Sequence, residues 1–178
     1  SSNTGRAYLF YNGSIITENA SGADVRITGE ATANNFGYAM TSGDFNADGK
    51  TDLAVGAYGY STSTGRAYLF YNDGGILTSA VTADVIITVE AASSNFAGSL
   101  ASGDFNADGK TDLAVGAYGY ASSRGRAYIF TSQNGQVNTN ISLTGETTSN
   151  NFGRSLTSGD FNADGRTDLA VGAYGYST

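Results

Sequence analysis

The chain has 178 residues, 40% of them apolar, and carries 16 acidic against 9 basic side chains for a net charge of −7. That apolar share supports a packed core and argues against wholesale disorder, while the absence of Cys and His rules out a disulfide framework and the Ser-His and Cys-His nucleophile systems. The Lys and Arg are scattered, which counts against nucleic-acid binding; no apolar run approaches the roughly 18 residues of a membrane helix and no stretch resembles a signal peptide, so a soluble chain with no membrane insertion is expected.

The first predicted strand is "GRAYLF", from Gly5, and the second is the alternating run "VRITG", from Val25. "NFGYAMTSG", from Asn35, reads as a weaker strand with a Gly near its start. An acidic loop then opens at Asp44 and runs into the apolar strand "DLAVGAY", from Asp52. The series now begins again, with "GRAYLF" at Gly65, "ITVE" at Ile87 and "NF" at Asn95. The stretch "GDFNADGKTDLAVGAYGY", first met at Gly43, returns unchanged at Gly103. A third pass supplies "GRAYIF" at Gly125, "LTGE" at Leu143, "NF" at Asn151, and the acidic stretch at Gly159 with one Lys→Arg change.

Sixty residues separate Asp44 from Asp104, and fifty-six separate Asp104 from Asp160. The third unit is shorter because four residues fewer lie between Phe130 and Leu143 than between Phe10 and Ile27, so a surface connection is expected there. No window keeps a helical period of apolar residues. Four short strands in each unit of about sixty residues predict an all-β chain of four-stranded blades, a β-propeller. Its three repeats run over about 1–60, 61–120 and 121–178. Ala54, Ala114 and Ala170, on the central strand, suit close packing between blades. A β-solenoid is the rival, but solenoid repeats are usually much shorter.

Nine of the sixteen acids lie in the three acidic loops. Counting from Asp44, oxygen side chains fall at places 1, 3, 5 and 9: Asp44, Asn46, Asp48 and Asp52. Gly49 holds place 6, and Lys50 at place 7 has a backbone carbonyl to offer. The second loop repeats this with Asp104, Asn106, Asp108, Lys110 and Asp112, and the third with Asp160, Asn162, Asp164, Arg166 and Asp168. This is the spacing with which an EF-hand loop wraps Ca²⁺, a hard dication that takes six to eight oxygens. Place 12 is Val55, Val115 or Val171, where an EF-hand needs a bidentate Glu, and the flanks are strands. A calcium loop on a β scaffold is therefore expected, with three Ca²⁺ per chain. Asp, Asn and Gly are also ordinary turn formers, but a turn does not need three carboxylates within nine residues. Two unit charges ~5 Å apart repel by about 1 kcal/mol even in water, and a bound dication removes that cost.

These residues resemble the FG-GAP repeats of integrin α-subunit propellers. "FG" stands at Phe36-Gly37 and Phe152-Gly153, with Phe96-Ala97 as a degraded copy, and "GAP" stands as "GAY" at Gly56, Gly116 and Gly172. The resemblance implies that strand 1 follows FG, that the calcium loop joins strands 1 and 2 on a lower face, and that "GRAYLF" is strand 3. It also implies that the loops after GAP carry ligand contacts on an upper face. Tyr58, Tyr60, Tyr118, Tyr120, Tyr174 and Tyr176 fall in those loops and are the candidate ligand-binding residues, able to stack on sugars or anchor a protein. The competing reading is that one Tyr of each pair fills the crevice between blades. Glu30, Glu90 and Glu146 recur beside them as solvated loop residues, and Arg6, Arg66 and Arg126 recur as structural bridges.

In that order the chain starts at strand 3 and stops after strand 2, leaving half-blades at both ends. Pairing each with the other half from a second copy closes six blades in a homodimer; a longer array and a nine-bladed trimer are the alternatives. The expected function is a calcium-binding, non-enzymatic recognition or adhesion module at an extracellular or cell-surface location, with a glycan or protein ligand. The alternative is a purely structural repeat, natural or engineered, with no ligand beyond calcium.

Overall fold

The computed structural model describes residues 3–12, 19–89, 92–133 and 136–177; Glu90 falls outside them. Among these residues the chain folds into antiparallel sheets with only short helical turns. Strands β1 (Arg6–Leu9) and β2 (Val25–Thr28) pair with each other. The next sheet is a meander of β3 (Ala39–Gly43), β4 (Asp52–Ala57), β5 (Arg66–Phe70) and β6 (Val85–Ile87). A second meander follows, of β7 (Phe96–Gly103), β8 (Asp112–Ala117), β9 (Arg126–Gln133) and β10 (Gln136–Thr144). Strands β11 (Ser155–Gly159) and β12 (Asp168–Gly172) form the last sheet.

The repeat is one of register as well as of sequence. In the first meander Leu53 faces Phe70 and Ala57 faces Arg66; in the second, Leu113 faces Phe130 and Ala117 faces Arg126. The run "DLAVGA" lacks apolar-polar alternation because β8 is buried along its whole length and β4 along nearly all of it. Such a strand sits between neighbouring sheets and reads as a continuous apolar run.

The main core lies between the two meanders. Phe45, Ala54, Leu69, Phe96, Leu100, Leu113, Val115 and Phe130 belong to one buried cluster. Phe96 meets Tyr128 and Phe130 edge-on, with ring centroids 5.7 and 6.1 Å away, and Phe36 meets Tyr68 in the same way at 5.4 Å. A Cβ on Gly56 would lie 2.2 Å from the Ala97 carbonyl oxygen, and one on Gly116 would lie 2.0 Å from that of Gly153. The Gly of "GAY" is thus the point where one sheet's backbone touches the next.

The shortened third connection does fall between strands 3 and 4. In the first meander that connection contains a 3₁₀ turn at Ala80–Thr82. In the second, β9 and β10 extend until Gln133 faces Gln136. The four missing residues are those of a looped connection, and the strands grow into its place.

The loops after "GAY" form a tight turn at Tyr60–Ser63 and again at Tyr120–Ser123. Ser61, Thr62 and Ser63 have φ of 45°, 55° and 61°, a left-handed run that costs roughly 1–2 kcal/mol per residue. Its carbonyls are engaged by the next repeat. Ser93, Asn95 and Phe96 donate their N–H groups to Thr62, Ser63 and Thr64, and Ser149, Asn151 and Phe152 do the same to Ser122, Ser123 and Arg124. The upper loops are therefore strapped to the neighbouring sheet by backbone hydrogen bonds.

Candidate metal centre and aromatic cluster

Each acidic loop joins the first two strands of its sheet: β3 to β4, β7 to β8, and β11 to β12. In the first, Asp44 accepts the Asp48 N–H through Oδ1 at 3.0 Å and the Gly49 N–H through Oδ2 at 2.9 Å. Asn46 Oδ1 accepts the same Asp48 N–H at 3.0 Å, and Asp48 Oδ1 accepts the Lys50 N–H at 2.9 Å. Left-handed backbone at Ala47 and Gly49 makes this wrapping possible. The other loops repeat it bond for bond, through Asp104, Asn106, Asp108 and Lys110 and through Asp160, Asn162, Asp164 and Arg166. Oxygens from places 1 and 3 thus meet at a single N–H, that of place 5.

Place 9 is used differently. Asp52 is buried at the start of β4, where Oδ2 accepts the Phe45 N–H and Oδ1 the Asn72 N–H, both at 2.9 Å. Asp112 does the same with Phe105 and Ser132, and Asp168 accepts from Phe161. Burial pushes the Asp52 and Asp112 carboxyls above the usual range, although those N–H groups pull the other way. The charges of Asp108 and Asp104 push Asp112 further up. The Lys50 N–H holds Asp48 below its ordinary value. Among the described residues no three acid, His or Cys side chains converge as a ready-made metal cluster. The side chains gathered in each loop are nevertheless all hard oxygen donors, carboxylate and amide, the type calcium takes.

The tyrosine pairs part company. Tyr60 lies beneath Arg66, with the guanidinium carbon 3.6 Å from the ring centroid, and Tyr120 lies beneath Arg126 at 3.7 Å. Arg66 donates to both Glu30 carboxylate oxygens at 3.0 Å and to Thr88 Oγ1 at 2.8 Å, while the Tyr68 hydroxyl donates to Glu30 at 3.0 Å. Burial raises the Tyr68 hydroxyl pKa, and Glu30 raises it further. Arg126 donates to Thr144 Oγ1 at 3.0 Å and to the Tyr120 hydroxyl at 2.7 Å. Arg66 and Glu30 thereby tie neighbouring sheets together, whereas their counterparts Arg6, at the start of β1, and Glu146, just after β10, are exposed.

Tyr58 and Tyr118 instead join Tyr38, with ring centroids 4.5 Å apart for Tyr38 and Tyr58 and 6.5 Å for Tyr58 and Tyr118. The Arg154 guanidinium carbon lies 4.3 Å from the Tyr118 centroid. Tyr174 and Tyr176 are exposed. Sequence reasoning passed over Tyr38 and Arg154. The signal was present: the residue after "FG" or "FA" is Tyr38, Gly98 or Arg154, a break in an otherwise faithful repeat.

The sequence matches the FG-GAP repeat family over residues 36–70, 96–130 and 152–178. It is 39% identical over 153 residues to phosphatidylinositol-glycan-specific phospholipase D of Bos taurus, covering 77% of this chain and 18% of that protein. It is 36% identical over 178 residues to integrin alpha-5 of Xenopus laevis, covering 88% and 17%. With integrin alpha-IIb of Homo sapiens the identity is 34% over 164 residues, covering 84% and 16%. The chain spans less than a fifth of the length of each of these relatives.

Proposed function

Because the chain belongs to the FG-GAP repeat family, we propose that it is a calcium-binding β-propeller module for recognition or adhesion outside the cell or at its surface. The observation that carries this reading is the acidic loop, built three times with the same hydrogen bonds. Asp44, Asn46, Asp48 and Asp52 would hold one ion, helped by the Lys50 carbonyl. Asp104, Asn106, Asp108, Lys110 and Asp112 would hold a second, and Asp160, Asn162, Asp164, Arg166 and Asp168 a third. Calcium would relieve the mutual repulsion of the carboxylates and fix the lower connection of each sheet. Millimolar calcium outside cells suits exposed loops of modest affinity.

The relatives named as integrins favour a recognition role. Those named as phospholipase D are aligned over 18% of their length, so that match supports a shared repeat region and not a shared catalytic site. We take the chain to be non-enzymatic, with a second copy of itself as a partner that closes the open sheets.

Calorimetric titration of the metal-free chain with calcium tests the assignment. Three ions bound per chain are expected, falling to none when Asp48, Asp108 and Asp164 are all changed to Ala. No binding at millimolar calcium would overturn it.

A further inference from the structure

From the geometry around Arg154 we infer a ligand site for a saccharide bearing a carboxylate, a uronic acid unit, on the face opposite the acidic loops. The inference rests on the recognition role above and specifies its ligand class.

The site exists because the repeat is broken at one place. Gly98 stands where the other repeats have Tyr38 and Arg154. A Cβ at Gly98 would lie 2.6 Å from the Tyr118 ring, so the Gly leaves the room that this ring occupies. Arg154 then reaches over Tyr118, 4.3 Å from the ring centroid, and donates through Nη2 to the Tyr38 hydroxyl at 3.2 Å. Tyr58 stands against Tyr38, edge to face. Burial raises the Tyr118 hydroxyl pKa, Arg154 lowers it, and Tyr58, Tyr38 and Tyr174 act on it as well. Five side chains from three repeats thus share one neighbourhood. Tyr38 is 50% exposed and Tyr174 75%, so aromatic surface remains open to solvent.

Arg154 differs from Arg66 and Arg126 on this face. Arg66 is paired with Glu30, and Arg126 is held by Thr144 and Tyr120. Among the described residues no carboxylate lies within ion-pairing distance of Arg154. A guanidinium seated over an aromatic face keeps edge N–H groups for an acceptor, here those that Arg154 does not give to the Tyr38 hydroxyl. Their fork matches a carboxylate bidentately. The surrounding Tyr rings offer an apolar face and a hydroxyl each, which suits the C–H face and the hydroxyls of a pyranose. A neutral sugar leaves the cation unpaired, and an extended acidic peptide leaves the rings uncovered. In a chain of charge −7, one unpaired cation on an aromatic floor is a local attraction for a single carboxylate.

The test is calorimetric titration of the calcium-loaded chain with a glucuronate-containing tetrasaccharide and with its carboxyl-reduced form. The acidic form is expected to bind at least tenfold more tightly. Arg154→Gln should erase that preference, and Tyr38→Ser should weaken both ligands about tenfold. Both variants should keep the calcium-dependent melting of the unaltered chain, which reports the fold and the metal separately. Equal binding of the two forms, no binding of the acidic form to a calcium-responsive chain, an unchanged preference in Arg154→Gln, or tighter binding of an acidic peptide would each overturn the inference.

Discussion

Asp48 and Asp52 are four residues apart in one loop, yet they have different work. Asp48 is exposed and touches only its own loop, so removing it takes away a proposed calcium ligand and little else. Asp52 is buried and accepts two N–H groups, from Phe45 and from Asn72. Asp52→Ala leaves both donors without a partner, each at a cost of about 1–3 kcal/mol. Asp52→Ala should therefore lower the melting temperature in chelator as well as in calcium. Asp48→Ala should lower it in calcium alone, with little change in chelator. Differential scanning calorimetry of both variants in both buffers separates the two roles; equal losses in chelator would contradict this division. The spacing of the loop makes both residues ligand candidates, because a ligand pattern is written locally. It does not reveal that Asp52 also staples its loop to the connection after β5, because Asn72 is twenty residues away.

At the scale of the element, strands and loops were legible because each is marked by its own residues: apolar runs for strands, Asp, Asn and Gly for the turns. What packs against what was not. "GAY" shows that a Gly recurs, and only the fold shows that Gly56 lies against the Ala97 carbonyl and Gly116 against that of Gly153. Gly56→Ala and Gly116→Ala drive a methyl into backbone that cannot rotate away, so the sheets must separate. Each should cost about 1–3 kcal/mol, read as a lower urea midpoint. Gly74→Ala is the control, since nothing lies within 4 Å of its Cβ position; it should be neutral or stabilise by up to about 1 kcal/mol. A neutral Gly56→Ala would mean the sheets are not in contact there. The same limit hid the split of the tyrosine pairs. Tyr58 and Tyr60 look alike in the sequence, and only tertiary contacts with Tyr38 and Arg66 distinguish them.

For the whole molecule, the telling comparison is between equal residues in unequal surroundings. Phe45 is 1% exposed and Phe161, its counterpart, 61%; Tyr68 is 0% exposed and Tyr8 37%. The exposed members belong to the repeats of the two-stranded sheets, which hold half the strands of a meander; the proposed second copy would supply the other half. Carried over from the meanders, the register would set Leu169 beside Phe10, Val171 beside Tyr8 and Ala173 beside Arg6 of a second copy. Glu146 would then meet Arg6 as Glu30 meets Arg66, and Asp168 would take the Asn12 N–H as Asp52 takes that of Asn72. Light scattering in calcium buffer should give twice the 18.3 kDa of one chain; a stable monomer at micromolar concentration would contradict closure by a second copy. Calcium is the more basic claim, since each sheet with an acidic loop would depend on it. An ion that binds the folded chain alone adds RT ln(1 + [L]/Kd), roughly 2.7 kcal/mol per site at a hundredfold excess over Kd. The most direct measurement is the melting temperature in millimolar calcium and again after an excess of chelator. A fall of many degrees, restored by added calcium, is the expected result, and superimposable melting curves would contradict a calcium-stabilised propeller.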